Sequence, residues 1–363
     1  MATLTTRTPA GSSYFELTLG DIASTIAALQ STKVAADDYT KFTPIVKNIN
    51  AAREYKIAFT AIATAMKSKN ELETGILGEY EYLKKSKVAY LTGKFHRKSL
   101  GIRWDTQLEP WATLDLAGAV QRDAKLLLGP IQRYIAKQIT DIYINPDNYA
   151  TGFSVTLTGS GDAWQQHWFN SDWSPNPDSD PVACITRAVL RLLSRWGNYG
   201  MEDLQLILPK LVSNGLKCHP KILSRLALTK DQTFVDDAFL SQLFGVQVIT
   251  YSSGDYTSVS SDATGDMIVP TEDFTFDLSD SAILKFKPVV DPKGATLPDG
   301  TRIDFIQNPD MVACVLPEGA EYEIATYEFK PSHEVGVLVD KLYSVVHNEN
   351  MDCSGYLIQD VVA

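Results

Sequence analysis

The side chains best suited to chemistry in this sequence are its histidines and cysteines, and neither set has the spacing of a known site. The histidines are His96, His167, His219, His333 and His347. The cysteines are Cys184, Cys218, Cys314 and Cys353. The histidines are scattered over different predicted elements, and the cysteines form no CxxC pair with a histidine at ligand distance. Neither a zinc site nor a disulfide framework is predicted.

Catalytic motifs with a physical rationale are also missing from the sequence. There is no GxSxG nucleophile elbow, no GxxxxGK phosphate loop, no GxGxxG after a strand and no HExxH. His333 and Glu334, with Asp340 nearby, would supply a base and an orienting carboxylate, but the alternating valines around them are typical of a strand. We therefore predict no catalytic residue, no cofactor site and no metal site.

An aromatic cluster surrounds His167 and comprises Trp164, Trp168, Phe169 and Trp173. Such rings can form a stacking platform for a base or a sugar. No Lys or Arg occurs between residues 164 and 180, so a phosphate-bearing ligand would be repelled by the acids nearby. Packing in a core or an interface is the favoured interpretation.

Charge is distributed unevenly along the chain, which has 44 Asp and Glu, 33 Lys and Arg and a net charge of −11. The basic segment, residues 84–104, has seven cations and no acid, whereas the acidic segment, residues 231–280, has ten acids and no Lys or Arg. The cations are Lys84, Lys85, Lys87, Lys94, Arg97, Lys98 and Arg103. Opposite segments on one chain favour a self-complementary protein. The alternative is two solvated surfaces that never meet.

The basic segment has a competing interpretation as a DNA-binding ribbon, because aromatic residues such as Tyr90 and Phe95 interleave with its cations. The acidic balance of the whole chain argues against tight nucleic-acid binding, which requires clustered Lys and Arg. Contact with an adjacent copy accounts for the basic and the acidic segments together.

The elements that would position these side chains follow from periodicity and turn signals. Residues 51–67 are rich in Ala, and apolar residues recur at helical spacing, so a helix is predicted. Residues 80–104 predict a long β-hairpin that turns at Thr92-Gly93. One apolar stripe then continues from Thr113 to Ile142 and predicts a long helix, kinked where Gly129-Pro130 removes a backbone hydrogen bond.

The middle third predicts helix, strand, helix, helix and strand, and the rest of the chain is mostly β. Ser179-Asp180-Pro181 supplies an N-cap and a first-turn proline, and a buried strand follows at 204–208. Pro209 opens the next helical piece, and LSQLFGV, residues 240–246, leads into another strand. No signal peptide is recognised, and no apolar run is long enough to span a membrane.

This order of motifs resembles the axial domain of tailed-bacteriophage major capsid proteins, whose fold is shared with encapsulins and the herpesvirus capsid floor. The resemblance covers roughly residues 80–363 and is most specific at residues 179–251. It implies an α+β capsid fold with an N-terminal arm, an extended β-hairpin (E-loop), a long spine helix in a peripheral domain, and an inserted axial α/β domain. The implied ranges are 1–79 for the arm and a helix, 80–110 for the E-loop, 111–178 for the peripheral domain, 179–320 for the axial domain, and 321–363 for the return strands of the peripheral domain.

The same resemblance implies a non-enzymatic protein that assembles with itself into hexamers and pentamers of an icosahedral shell. Scaffold, portal and decoration proteins would be its partners, and double-stranded DNA would be enclosed without tight specific binding. Its location would be the virion, and the host cytoplasm during assembly. The inter-subunit contacts are expected between the basic segment and acids of the next copy, with Asp262, Asp266 and Asp273 as the expected acids. The alternatives are an encapsulin-like cargo compartment and a nucleic-acid-binding protein.

Overall fold

The structure is a computed structural model that describes residues 39–48, 54–59, 89–105, 131–132, 134–227, 234–251, 280–296, 300, 302–317, 322–329 and 334–363. The strands are β1 (Ile45–Asn48), β2 (Glu54–Phe59), β3 (Ala89–Lys94), β4 (His96–Asp105), β5 (Ser154–Thr156), β6 (Leu204–Pro209), β7 (Gln247–Tyr251), β8 (Ala282–Phe286), β9 (Val290–Thr296), β10 (Arg302–Ile306), β11 (Val312–Pro317), β12 (Tyr322–Phe329), β13 (Glu334–His347) and β14 (Gly355–Gln359). The helices are α1 (131–132 and 134–144), α2 (Pro181–Arg195), α3 (Lys210–Lys217), α4 (Pro220–Leu226) and α5 (Asp237–Phe244).

The central sheet has the strand order β5-β14-β8-β6-β7. Strands β6 and β8 are buried along their whole length, because apolar residues point to both faces and helices cover them. Strands β6 and β7 are parallel, and α3, α4 and α5 lie between them in the chain. The prediction placed two helices between these strands, so the structure adds one helix to the middle third and otherwise follows the predicted order.

Helix α2 forms because its start and its buried face are both encoded locally. The Asp180 side chain accepts a hydrogen bond from the Ala183 N–H at 3.0 Å, and Pro181 occupies the first helical position. Apolar residues at helical spacing, from Val182 to Leu192, are buried against the central sheet. The predicted N-cap and first-turn proline are confirmed.

Helix α1 corresponds to the C-terminal part of the predicted long helix. Ile131, Ile135 and Ile139 lie on one side of the helix and are fully buried, whereas Ile142 is half-buried. The predicted kink at Gly129-Pro130 lies outside the described residues. What the structure describes of this helix packs along its predicted apolar stripe.

The second sheet is built around β13, the longest strand that the structure describes. Residues 344–347 of β13 pair with β11, residues 334–341 pair with β12, and residues 334–343 pair with β4, all antiparallel. Strand β1 adds to β11 in parallel. The second sheet therefore contains β4, which lies in the basic segment, together with β1, which precedes that segment in the chain.

The third sheet, β3-β2-β10-β9, corrects two predictions. Residues 54–59 form strand β2 and not part of a helix, because Tyr55, Ile57 and Phe59 alternate into the core when β3 and β10 pair with the strand. The predicted turn at Thr92-Gly93 is also wrong. These residues continue β3, which pairs with β2, whereas β4 pairs with β13.

A glycine is needed at position 93 for close packing and not for a turn. It lies directly opposite Tyr55, and a Cβ atom at Gly93 would come within 2.5 Å of Tyr55 Cζ. The Tyr55 ring packs edge-on against Phe95, and its hydroxyl lies 3.0 Å from Ser344 Oγ of β13. Gly93 therefore makes room for an aromatic ring that ties the second and third sheets together.

Residues 39–48 belong to the core, although they lie in the range 1–79 that the resemblance assigned to the arm and a helix. Tyr39, Phe42 and Val46 are almost completely buried, because β1 pairs with β11. Residues 39–48 are therefore part of the folded core and not of a free arm.

The central sheet also shows how the predicted ranges are combined in the fold. It takes β6, β7 and β8 from the range assigned to the axial domain, and β5 and β14 from ranges assigned to the peripheral domain. The division into domains remains a prediction. None of the described helices combines the length and the apolar character needed to cross a membrane.

Candidate functional site

The structure describes only part of the predicted contact set. Lys94, Arg97 and Lys98 lie at the junction of β3 and β4, and Arg103 lies in β4 with only its backbone described. The remaining predicted contact residues lie outside the described residues. These are Lys84, Lys85, Lys87, Asp262, Asp266 and Asp273.

Arg97 forms an ion pair with Asp340 of β13. The two residues are diagonal neighbours on one face of the β4–β13 ladder, because Arg97 is opposite Leu342 in the register. The Arg97 side chain is 47% exposed, whereas that of Asp340 is 1% exposed and its Oδ1 has no hydrogen-bond partner among the described residues. Arg97 therefore neutralises a buried carboxylate of its own chain.

Lys98 contacts its own chain, as Arg97 does, whereas Lys94 is presented at the surface. The Lys98 Nζ lies 3.8 Å from the centre of the Tyr134 ring on α1, a cation–π contact that holds β4 against this helix. Lys94 ends β3 with an exposed side chain. Of the three cations with described side chains, two contact their own chain and one is presented at the surface.

Sequence reasoning missed a charged cluster in the middle of the core. Lys285 of β8 forms an ion pair with Asp310, and its Nζ also donates to the Phe42 carbonyl at 2.6 Å and to the Tyr143 hydroxyl at 2.7 Å. The Tyr143 hydroxyl donates to Asp310 Oδ1 at 2.8 Å. The signal was a lysine inside the apolar run AILKF, because a buried lysine needs a buried acid.

Burial sets the protonation of this cluster. It lowers the pKa of Lys285 and raises that of Asp310, and the attraction between the two charges opposes both shifts. Burial, with the Asp310 charge second, also raises the pKa of Tyr143 well above 10. The cluster joins segment 39–48, α1, β8 and the residues before β11, so its role is to fix these elements to one another.

A serine–histidine pair is present but is not arranged for nucleophilic catalysis. His219 Nδ1 accepts the Lys221 N–H at 3.2 Å, so the ring proton is on Nε2. Nε2 lies 3.1 Å from Ser179 Oγ and 3.0 Å from the Asn176 carbonyl. Because the nitrogen facing the serine already carries the proton, it cannot act as a base for that hydroxyl. The pair instead starts α4 and anchors the loop before α2.

The aromatic cluster is mainly core. Trp168 and Phe169 are fully buried, and a Cβ atom at Gly215 of α3 would come within 2.6 Å of the Phe169 ring. Trp164 is half-buried and its ring is covered by Arg187 of α2, whose Cζ lies 4.2 Å from the ring centre. Core packing was the favoured interpretation, and these contacts support it over a stacking platform.

The remaining sequence candidates do not assemble into a site. Asp340 pairs with Arg97, His333 lies outside the described residues, and of Glu334 only the backbone is described. Within the described ranges, no three His, Cys, Asp or Glu side chains are close enough together to hold a metal ion. Within the part of the chain that the structure describes, the exposed surfaces are therefore the candidate functional sites.

Two solved structures are similar to this chain over almost its whole length. A phage-related protein from Bordetella bronchiseptica RB50 gives a TM-score of 0.59 at 15% sequence identity, over 93% of this chain and 97% of that chain. The capsid of the cyanophage P-SCSP1u gives a TM-score of 0.51 at 9% identity, over 90% and 88%. No family model matches the sequence, and no curated protein matches it. The chain has the α+β fold of tailed-phage major capsid proteins, as the sequence motifs implied.

Proposed function

We propose that this chain is a capsid subunit that assembles with copies of itself into hexamers and pentamers of an icosahedral shell around phage double-stranded DNA. The observation that supports it is the likeness to a cyanophage capsid protein over nine-tenths of both chains. A shell protein works through repeated contacts between copies, which is consistent with a molecule whose charged side chains lie on surfaces and in structural ion pairs.

The contacts of Lys94 and Arg97 show which of these two predicted contact residues can be tested without disturbing the fold. Lys94 is exposed, so it is available to an acidic surface of the adjacent copy. Arg97 neutralises the buried Asp340, so a change at Arg97 would disturb the fold as well as any contact. We therefore assign Lys94 as the member of the set that tests inter-subunit contact cleanly.

The direct test is expression of the chain alone, followed by sedimentation and negative-stain microscopy. Closed particles are expected, because the subunits of an obligate assembly bury about 2,000 to 5,000 Å² at each contact with a neighbouring copy. A species that sediments as a monomer at every protein and salt concentration would refute the proposal. Cryo-microscopy of particles from infected cells would separate DNA-filled shells from the cargo-filled shells of an encapsulin-like compartment.

The contact set is tested by Lys94→Glu against Lys47→Glu, which reverses another exposed charge, on β1. Lys94→Glu is expected to raise the protein concentration needed for assembly, and Lys47→Glu to leave it unchanged. Equal assembly of the two variants would remove Lys94 from the interface. Scaffold, portal and decoration proteins are further partners under the same proposal, and the virion and the host cytoplasm are its locations.

A further inference from the structure

A row of three arginines runs along the exposed side of α2. Arg187, Arg191 and Arg195 follow one another at intervals of four residues, so that they lie on one side of the helix, and all three are exposed. The helix contains no Asp or Glu. None of the three arginines forms an ion pair with a described residue.

Two of these guanidinium groups are held in place by aromatic rings. Arg187 Cζ lies 4.2 Å from the centre of the Trp164 ring, and Arg191 Cζ lies 5.1 Å from that of Phe153. A guanidinium stacked by its face keeps its N–H groups, which lie in its plane, free for acceptors at its edge. Arg187 and Arg191 are therefore preorganised to bind oxyanions, because less of their side-chain freedom remains to be lost on binding.

The row contains an apolar residue that helps to identify the partner. Leu190, three residues after Arg187, lies beside it on the exposed side of the helix, and 61% of its surface is accessible. A nucleic-acid backbone offers phosphates to the arginines but nothing to the leucine. A protein surface offers carboxylates and apolar contacts together, and arginine beside apolar side chains is typical of the centre of protein interfaces.

We infer that the row of Arg187, Leu190, Arg191 and Arg195 docks on an acidic surface of a second copy of this chain. The inference rests on the proposed shell function and adds a contact surface to it. A ring of identical subunits closes through a heterologous contact, in which one patch meets a different patch on the next copy. Because carboxylates outnumber Lys and Arg by 44 to 33, each copy offers acidic surface to the row of its neighbour.

The test uses Arg187→Glu/Arg191→Glu/Arg195→Glu in the full chain. The matched control, Lys47→Glu/Lys210→Glu/Arg225→Glu, makes the same change of charge at exposed positions of β1, α3 and α4. Circular dichroism and the thermal midpoint check that both variants fold. We expect the α2 variant to remain a small species, or to need at least tenfold more protein to assemble, while the control forms shells like the wild type.

A second pair of variants guards against a folding defect in the triple variant. Leu190→Glu leaves the arginines in place and changes a surface side chain, and Leu223→Glu, at a position 43% exposed on α4, is its control. Leu190→Glu is expected to weaken assembly by at least tenfold, and Leu223→Glu to have no effect.

Three results are decisive. If the wild type forms shells and both α2 variants form them at the same concentration, the inference is wrong and the proposed function stands. If the α2 variants form normal shells but retain less double-stranded DNA at low salt, the row binds nucleic acid and the second-copy assignment is overturned. If the wild type itself never assembles, the proposed function and the inference both fail.

Discussion

Replacing Lys285 by Met should show whether the buried cluster stabilises the fold through charge. The substitution leaves the Asp310 carboxylate, 2% exposed, without its cation, although the Tyr143 hydroxyl and the Val312 N–H still donate to its Oδ1. Removing one partner of a buried ion pair costs about 3 to 5 kcal/mol. We expect a loss of this size in the free energy of unfolding at pH 7.5, measured on unassembled subunits by urea titration.

The same variant should acquire a distinctive pH dependence. Burial already raises the Asp310 pKa, and Lys285, which opposes this shift, is gone in the variant. A carboxyl group whose folded pKa lies above its unfolded pKa of about 3.9 binds more protons when folded, so its folded state gains stability as pH falls. The deficit should shrink by up to about 1.4 kcal/mol for each pH unit below the folded pKa, until the unfolded pKa is reached.

The control is the double variant Lys285→Met/Asp310→Asn, whose amide still accepts from Tyr143 but carries no charge. It should recover at least about 2 kcal/mol of the single variant's loss at pH 7.5 and show no added pH dependence. If the single variant is within about 1 kcal/mol of the wild type, or if its deficit is equal at pH 5 and pH 7.5, the cluster does not stabilise the fold in this way.

Three further substitutions test the packing and the titration of particular residues. Gly93→Ala should lower the free energy of unfolding by about 1 to 3 kcal/mol, because the new Cβ meets the Tyr55 ring. Its control, Gly197→Ala, places the new Cβ in open space and should change the free energy of unfolding by less than about 0.5 kcal/mol. Equal effects of the two substitutions in thermal unfolding would contradict the packing role of Gly93. Ile135→Ala should cost about 2 to 5 kcal/mol, since its side chain is fully buried on α1, and the exposed Leu190→Ala should be nearly neutral by the same measurement. Burial lowers the His219 pKa, so on acidification the unfolded chain binds the proton before the folded chain does, and the free energy of unfolding should fall as pH drops below about 6.5 towards the folded pKa. His219→Asn keeps a cap for α4 and should remove this part of the pH profile. An unchanged profile would show that His219 does not titrate in that range.

The sequence alone was sufficient where local chemistry decides structure. The N-cap of Asp180 with Pro181 predicted the start of α2, and the same kind of local chemistry sets the two ends of α5 at Asp236 and Gly245. Gly245 has a φ of +69°, a conformation that glycine adopts without strain. Caps and apolar periodicity act within a few residues, so they can be read without knowledge of distant parts of the chain.

Residues 54–59 show where local reading fails. Tyr55 and Phe59 fit a helical repeat, and Tyr55, Ile57 and Phe59 fit a strand repeat equally well. Pairing with β3 and β10, which are distant in the chain, selects the strand. Gly93 was misread for the same reason, because a glycine needed for close packing looks like a turn glycine until its neighbour is known.

For the charged residues, too, some properties follow from the sequence and others only from the tertiary structure. Their number, their clustering and the resulting prediction of a self-complementary protein came from the sequence alone. Which cations are engaged within the chain came only from the tertiary structure, which brings Asp340 to Arg97 and Asp310 to Lys285. Ion pairing depends on distance in space. Arg97 and Asp340 are 243 positions apart and Lys285 and Asp310 are 25 apart, and each pair meets only after the chain has folded.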